Sequence, residues 1–151
     1  MSVALAVHLL AAVIWVGGMF FAYMALRPAA ASMEPQVRLP LWSRTFARFF
    51  PWVWAAIVLL PATGYWMMFR AFGGPAHAGM PINIMQTLGI IMILIFLHVF
   101  FAPYRRLNRF VAANDFAAAG KQLTQIRRLI AVNMTIGLIT IIVAGAGRFL
   151  G

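Results

Sequence analysis

The sequence predicts an all-α fold, a four-helix transmembrane bundle with both termini outside, in the periplasm. Three observations carry this prediction. The 151 residues are 64% hydrophobic and 9% charged, a composition that a soluble domain does not tolerate. The apolar residues form four long runs, and the basic residues are concentrated between the runs. Together these features indicate a single integral membrane domain over residues 1–151.

Each of the four apolar runs is long enough to cross a bilayer, which takes about 20 helical residues. The four runs predict helices at about 3–26, 49–69, 82–102 and 129–149, and the second of them contains two prolines. The first run lacks a basic segment before it and is too long for a signal peptide, so we expect it to be a retained helix.

The basic residues give the bundle its predicted orientation. The net charge is +10, and the connection between the second and third runs holds only Arg70. The other two connections are flanked by Arg27, Arg38, Arg44 and Arg48, and by Arg105, Arg106, Arg109, Lys121, Arg127 and Arg128. The positive-inside rule then places both termini outside a bacterial inner membrane. We interpret these charges as topology signals and contacts with anionic lipids, not as a nucleic-acid site.

Aromatic residues near the predicted helix ends are typical of the interfacial belts of membrane proteins. On this basis we expect interfacial positions for Trp42, Trp52, Trp54, Tyr65, Trp66 and Tyr104.

Several chemistries lack the residues they need. The chain has no cysteine, which excludes disulfides and thiolate metal sites. Its two carboxylates, Glu34 and Asp115, lie in connections, so a paired-carboxylate mechanism has no members. There is also no phosphate loop and no histidine–glutamate zinc motif. The sequence therefore gives no catalytic residue.

Histidines inside the spans are the strongest functional signal, because ionisable groups are costly in a bilayer. His8, Trp15 and Met19 share one face of the first helix, flanked by alanines and glycines, so this face should turn into the bundle. His98 should lie about 15–20 Å deeper, too far away to share one metal or haem. His8 is then either a ligand or a residue hydrogen-bonded to a neighbouring helix, for instance to Asn83, Gln86 or Thr87.

Sulfur donors accompany His8 at the outer end of the predicted bundle. A metal set would comprise His8, Met67, Met68, His77, Met80 and Met85. Imidazole and thioether donors suit the soft ion Cu(I). The alternative is a purely structural role, in which these methionines only fill gaps in an apolar interior.

The stretch "HLLAAVIWVGGMFF" resembles the first helix of the copper-resistance D (CopD) family, in which a histidine precedes a Trp-x-Gly-Gly pattern. Those residues are His8, Trp15, Gly17 and Gly18 here. The resemblance continues through "FFPWVWAAIVLLPATGYWMM" and "MILIFLHVFFAPYRR". It implies an inner-membrane protein that binds copper on the periplasmic side and assists its uptake or delivery.

The first helix is also similar to that of HemJ-type protoporphyrinogen oxidases, four-helix proteins that bind haem b. That resemblance implies haem ligation by His8 and matches the late histidine of the third helix to His98. The third helix of that family also carries a lysine, but the corresponding position here falls near Thr87 and no span of this chain contains a lysine. The Pro-Arg pair expected late in the first helix is absent too, and both departures argue against porphyrinogen oxidation itself. Haem held by His8 and Met85, beside Trp15, is the alternative cofactor. His98 is the remaining cofactor-binding candidate, and whether it forms a second site stays open.

Copper is thus the expected ligand, haem b the alternative, and a cofactor-free accessory subunit a third hypothesis. The expected partners are the lipid bilayer and either a periplasmic copper donor or a quinone. A homo-oligomer or a larger membrane complex is compatible with the same residues.

Overall fold

The computed structural model describes residues 1–149, and these residues form four long helices. They are α1 (Ser2–Ala30), α2 (Pro35–Phe72), α3 (Gly79–Ala112) and α4 (Phe116–Ala146). Single 3-10 turns follow at Pro75–His77 and Gly147–Phe149, and the described residues contain no strand. All four helices are long and apolar enough to cross a membrane. The predicted all-α architecture is confirmed.

The helices extend well beyond the predicted apolar runs at the end of the bundle where the arginines lie. The second helix begins at Pro35 instead of residue 49, and the fourth begins at Phe116 instead of residue 129. The first and third continue to Ala30 and Ala112. Hydropathy marks only the part of a helix that can lie in hydrocarbon, whereas backbone hydrogen bonding continues through the basic turns that follow.

Two helices contain a π-helical segment without losing continuity. In α1 it spans Ala22–Leu26, and in α3 it spans Phe100–Tyr104. The second segment includes Pro103, which has no backbone N–H to donate. Such insertions relieve a local mismatch in the hydrogen-bond ladder while the helix axis carries on.

Short connections force the helices into an up-and-down order. The segments between helices cover residues 31–34, 73–78 and 113–115. Gly73 ends α2 in the left-handed conformation with φ 75°, and Asp115 caps α4 by accepting a hydrogen bond from Ala118 N. We call the end that contains connections 31–34 and 113–115 the basic end. The opposite end, with both chain termini and connection 73–78, is the terminal end.

The helices pack as two close pairs, α1 on α2 and α3 on α4. Between α2 and α3, an aromatic cluster fills the half of the bundle nearer the basic end. It consists of Phe46, Phe50, Trp54, Phe96, Phe100 and Tyr104. Stacked and edge-to-face rings in this cluster fix α2 against α3, as in Phe50 and Tyr104, whose centroids are 4.8 Å apart.

The aromatic residues expected at the interface divide into two groups. Trp52 and Trp66 are exposed on the outside of α2. Trp42 and Tyr104 are instead buried, and the half-buried Trp54 packs on Phe96 within the aromatic cluster, so these three rings face other helices. Tyr65 is half-buried. Aromatic composition near a helix end does not reveal on which side of the helix a ring lies.

Candidate metal centre

The face of α1 that carries His8 turns into the bundle, as predicted. Ala11, Trp15, Met19 and Ala22 are all buried, and His8 is half-buried one helical turn nearer the terminal end. Trp15 meets Phe96 of α3 edge to face, with ring centroids 6.4 Å apart. The imidazole therefore lies on a packed helix face.

A threonine of α2 is the hydrogen-bond partner of His8. The Nδ1 atom of His8 lies 2.8 Å from Thr63 Oγ1. Thr63 in turn donates its hydroxyl proton to the backbone carbonyl of Leu59, at 2.6 Å. Because that proton is already used, Thr63 accepts from His8 Nδ1–H. The tautomer thus fixed leaves the lone pair of Nε2 available to a ligand.

The hydrogen bond of His8 to a neighbouring helix, expected as the alternative to a ligand, is thus present, but its partner is Thr63 of α2 and not one of the residues suggested on the third helix. Thr87 hydrogen-bonds the carbonyl of Asn83 in its own helix, and its side chain is exposed. The Oε1 atom of Gln86 is buried with no partner. The reason is the helix pairing, since α1 packs closely on α2 and α3 packs chiefly on α4.

A glycine allows this close contact between α1 and α2. A Cβ atom added at Gly64 would lie 3.2 Å from Cε1 of His8. The imidazole thus rests almost against the backbone of α2, which is how small residues bring membrane helices together. Thr63 and Gly64 together fix the position and the orientation of the ring.

Two methionines of α2 come shortly after Gly64 in the sequence. Met67 and Met68 come three and four residues after Gly64, which places them one helical turn nearer the terminal end on neighbouring faces. Met68 is buried and Met67 is half-buried. Sulfur donors therefore stand beside the position where the imidazole of His8 meets α2.

The other predicted donors are more dispersed. Met85 is half-buried on α3, the helix that packs chiefly on α4. His77, in the turn after α2, and Met80, at the start of α3, are exposed at the terminal end. Among residues 1–149, no three His, Asp or Glu side chains form a group that could hold a metal ion.

The second intramembrane histidine lies away from this centre. His98 is exposed on the outside of α3, whereas Asn133 and Met134 of α4 are buried. Because α1 and α3 both run from the terminal end to the basic end, His98 lies about 19 Å nearer the basic end than His8, at 1.5 Å per residue. The amide of Asn133 donates to the carbonyl of Met92 at 3.2 Å and so links α4 to α3.

A comparison with known protein families matches residues 43–146 to the family described as copper resistance protein D. The chain belongs to the copper resistance protein D family. The match to this family covers most of α2 and all of α3 and α4, including Thr63, Met67, Met68 and Met85. It begins after α1, so the helix that carries His8 lies outside the matched residues.

No curated protein and no solved structure matches the chain. The role of individual side chains in this copper-resistance D protein is therefore argued from its own geometry.

Thr63 is the site residue that the sequence interpretation missed. It stands in "LLPATGYWMM", where it is the only residue with an aliphatic hydroxyl, directly before Gly64. A lone polar residue beside a small one in a span is a signal for a helix–helix contact. The two candidate methionine donors, Met67 and Met68, follow it in the same stretch of α2.

Proposed function

We propose that this copper-resistance D membrane protein binds Cu(I) at the terminal end of the bundle and assists its uptake or delivery across a bacterial inner membrane. The observation that supports this proposal most directly is the state of His8. Its Nδ1 is held by Thr63, whose own proton goes to Leu59, an arrangement that leaves Nε2 as the ligating nitrogen. Histidine ligands in metal sites are held by such a hydrogen bond from the second ring nitrogen.

The donor types favour Cu(I) over harder ions. Thioethers and imidazole are soft, neutral ligands, so they coordinate Cu(I) without bringing an anionic side chain into the membrane. Met67 and Met68 adjoin the His8 contact on α2, and Met85 of α3 is the proposed third sulfur donor. In this scheme copper is the cargo, and the centre is the first site it occupies inside the bundle.

Exposed donors lie where an ion would arrive. His77 and Met80 are exposed at the terminal end, beyond the ends of the apolar spans. We assign them the capture of copper from the periplasm or from a periplasmic copper donor. The ion would then pass to His8, roughly 10 Å deeper along α1 at 1.5 Å per residue.

Copper stoichiometry in purified protein tests the proposal. The protein, extracted in a mild detergent and loaded with Cu(I) under a reductant, should bind about one equivalent, as expected for a single His–Met centre. His8→Ala should abolish that binding, while His98→Ala, at the exposed histidine of the same bundle, should leave it unchanged. Met67→Leu with Met68→Leu should weaken binding, and Met24→Leu, at an exposed methionine of α1, should not.

An absorption spectrum of the same samples separates the competing hypotheses. A Soret band that disappears in His8→Ala, without bound copper, would replace copper by haem b, since Nε2 of a histidine is equally a haem ligand. Copper binding that is unchanged in His8→Ala would overturn the assigned centre. A folded protein with neither ligand would leave the accessory-subunit hypothesis.

A further inference from the structure

A cavity of about 300 Å³ opens at the basic end, remote from His8. It lies between α1, α2 and α4, and its wall includes residues of the π-helical segment of α1. Its polar lining consists mainly of Arg27, Arg38 and Arg127, one from each of the three helices. The cavity is about 22 Å from His8 measured along α1, at 1.5 Å per residue.

The three guanidinium groups are less exposed than most arginines of this end. Each is half-buried, whereas Arg44 and Arg128 are exposed. Arg106 is also half-buried, but it donates a hydrogen bond to Gln122 and does not line the cavity. The Arg27 guanidinium lies 4.7 Å from the centre of the Tyr23 ring, and Arg38 donates one hydrogen bond to the carbonyl of Met33. A guanidinium has five N–H donors, so Arg38 keeps four for a ligand.

No carboxylate balances these charges. None of the residues that line the cavity is acidic, and the two acids of the chain, Glu34 and Asp115, are exposed. Half-buried cations without an acidic partner are unfavourable unless an anion joins them. Arginine is the side chain whose planar fork matches phosphate oxygens in a bidentate manner.

Apart from Tyr23 and Thr124, the rest of the lining is apolar. Trp42 and Phe46 of α2 and Ile130 of α4 lie further from the basic end than the arginines of their own helices, so they form an apolar wall toward the middle of the bundle. The cavity thus has a cationic mouth at the level of the interface and an apolar interior. Basic pockets between membrane helices on the positively charged side have the charge and depth to hold lipid head groups.

We propose that this cavity binds a phosphate group, held jointly by Arg27, Arg38 and Arg127. The same oxygen chemistry is offered by the phosphodiester of a membrane phospholipid and by free phosphate. The site does not involve copper, so its test is independent of the test of the proposed function.

Two triple variants with equal charge test the proposal. One carries Arg27→Gln, Arg38→Gln and Arg127→Gln in the cavity. Its control carries Arg44→Gln, Arg48→Gln and Arg128→Gln, at exposed arginines of the same end. Retention of phosphatidylglycerol against phosphatidylcholine is measured by native mass spectrometry of the detergent-solubilised protein, and binding of inorganic phosphate by calorimetry.

We expect the cavity variant to bind the phosphate ligand at least about tenfold more weakly than the control variant, since charge-assisted hydrogen bonds are lost. Retention of phosphatidylglycerol with that dependence identifies a lipid phosphate, and saturable binding of inorganic phosphate identifies a free one. Equal losses in both variants, or no binding of either probe by the wild type, would overturn the site. A third protein with lysine at the three cavity positions keeps the charge, and its intermediate binding would separate a loss of donors from a failure to fold.

Discussion

Thr63 determines what His8 can do. A threonine in a helix usually returns its hydroxyl proton to the carbonyl four residues earlier, and Thr63 does so to Leu59. The hydroxyl oxygen then has acceptor capacity only, which orients the imidazole of His8 with Nδ1–H toward α2. Thr63, which is not itself a proposed ligand, thereby determines which ring nitrogen of His8 is available to a ligand.

Replacing Thr63 should weaken copper binding while the fold is kept. Thr63→Val has nearly the same shape but no hydroxyl, so the His8 ring loses its anchor. We expect Cu(I) affinity to fall by about tenfold, the lower end of the effect of losing such a supporting hydrogen bond. Competition with a Cu(I) chelator measures it.

Two further variants control this experiment. Thr87→Val removes a hydroxyl with the same backbone hydrogen bond, but in an exposed position of α3, and should leave the affinity unchanged. Thr63→Ser keeps an acceptor and should restore most of the binding. Wild-type affinity in Thr63→Val would show that the hydroxyl does not position the ligand.

At the scale of whole helices, neighbouring glycines have different roles. Gly18 of α1 faces the ring of Phe49 on α2, and an added Cβ would overlap that ring. A Cβ atom added at Gly17 would have no atom of another helix within 4 Å. The two glycines of the Trp-x-Gly-Gly pattern are therefore distinct, and only Gly18 sets the spacing of α1 and α2.

Adding one methyl group should separate the two glycines experimentally. We expect Gly18→Ala to lower the free energy of unfolding by about 1–3 kcal/mol, the usual cost of overpacking. Gly17→Ala should be neutral or stabilising by up to about 1 kcal/mol, since alanine is the better helix former. Thermal unfolding in one detergent gives both values.

A compensating change gives this prediction a second readout. Phe49→Leu in the Gly18→Ala background shortens the side chain that overlaps the new methyl group, and it should recover part of the lost stability. Equal stabilities for Gly17→Ala and Gly18→Ala would mean that the α1–α2 contact is looser than described.

For the whole molecule, charge asymmetry is the dominant feature. Ten of the 12 basic residues belong to the connections and helix turns of the basic end. Such asymmetry orients membrane proteins with the basic loops in the cytoplasm. We therefore expect the basic end to be cytoplasmic and the copper centre to face the periplasm.

Single cysteines can report this orientation, because the chain has none of its own. Ala76→Cys, in the exposed connection at the terminal end, should react in intact cells with a maleimide that cannot cross the inner membrane. Ser32→Cys and Ala113→Cys, exposed at the basic end, should react only after permeabilisation. The reverse pattern would place the copper centre on the cytoplasmic side and exclude capture from the periplasm.

Sequence patterns predicted the four helices and the inward face of α1 because both depend on local periodicity and hydropathy. Helix pairing is different, since it depends on which small residues meet which large ones across the bundle. The sequence allows a neighbouring helix to hydrogen-bond His8 but does not identify it, whereas in the structure Gly64 brings α2 against the ring. The cluster of methionines stays a prediction, supported for Met67 and Met68 by their place on α2.

The sequence by itself determined that this chain is a four-helix membrane protein with one inward histidine and one strongly basic end. Hydrophobic runs, helical phase and loop charge are properties of short segments, so no tertiary contact is needed to read them. Only the tertiary structure decided that Thr63 holds His8, and that Arg27, Arg38 and Arg127 share one cavity. Those contacts join residues of different helices, and the packing of side chains between the helices sets them.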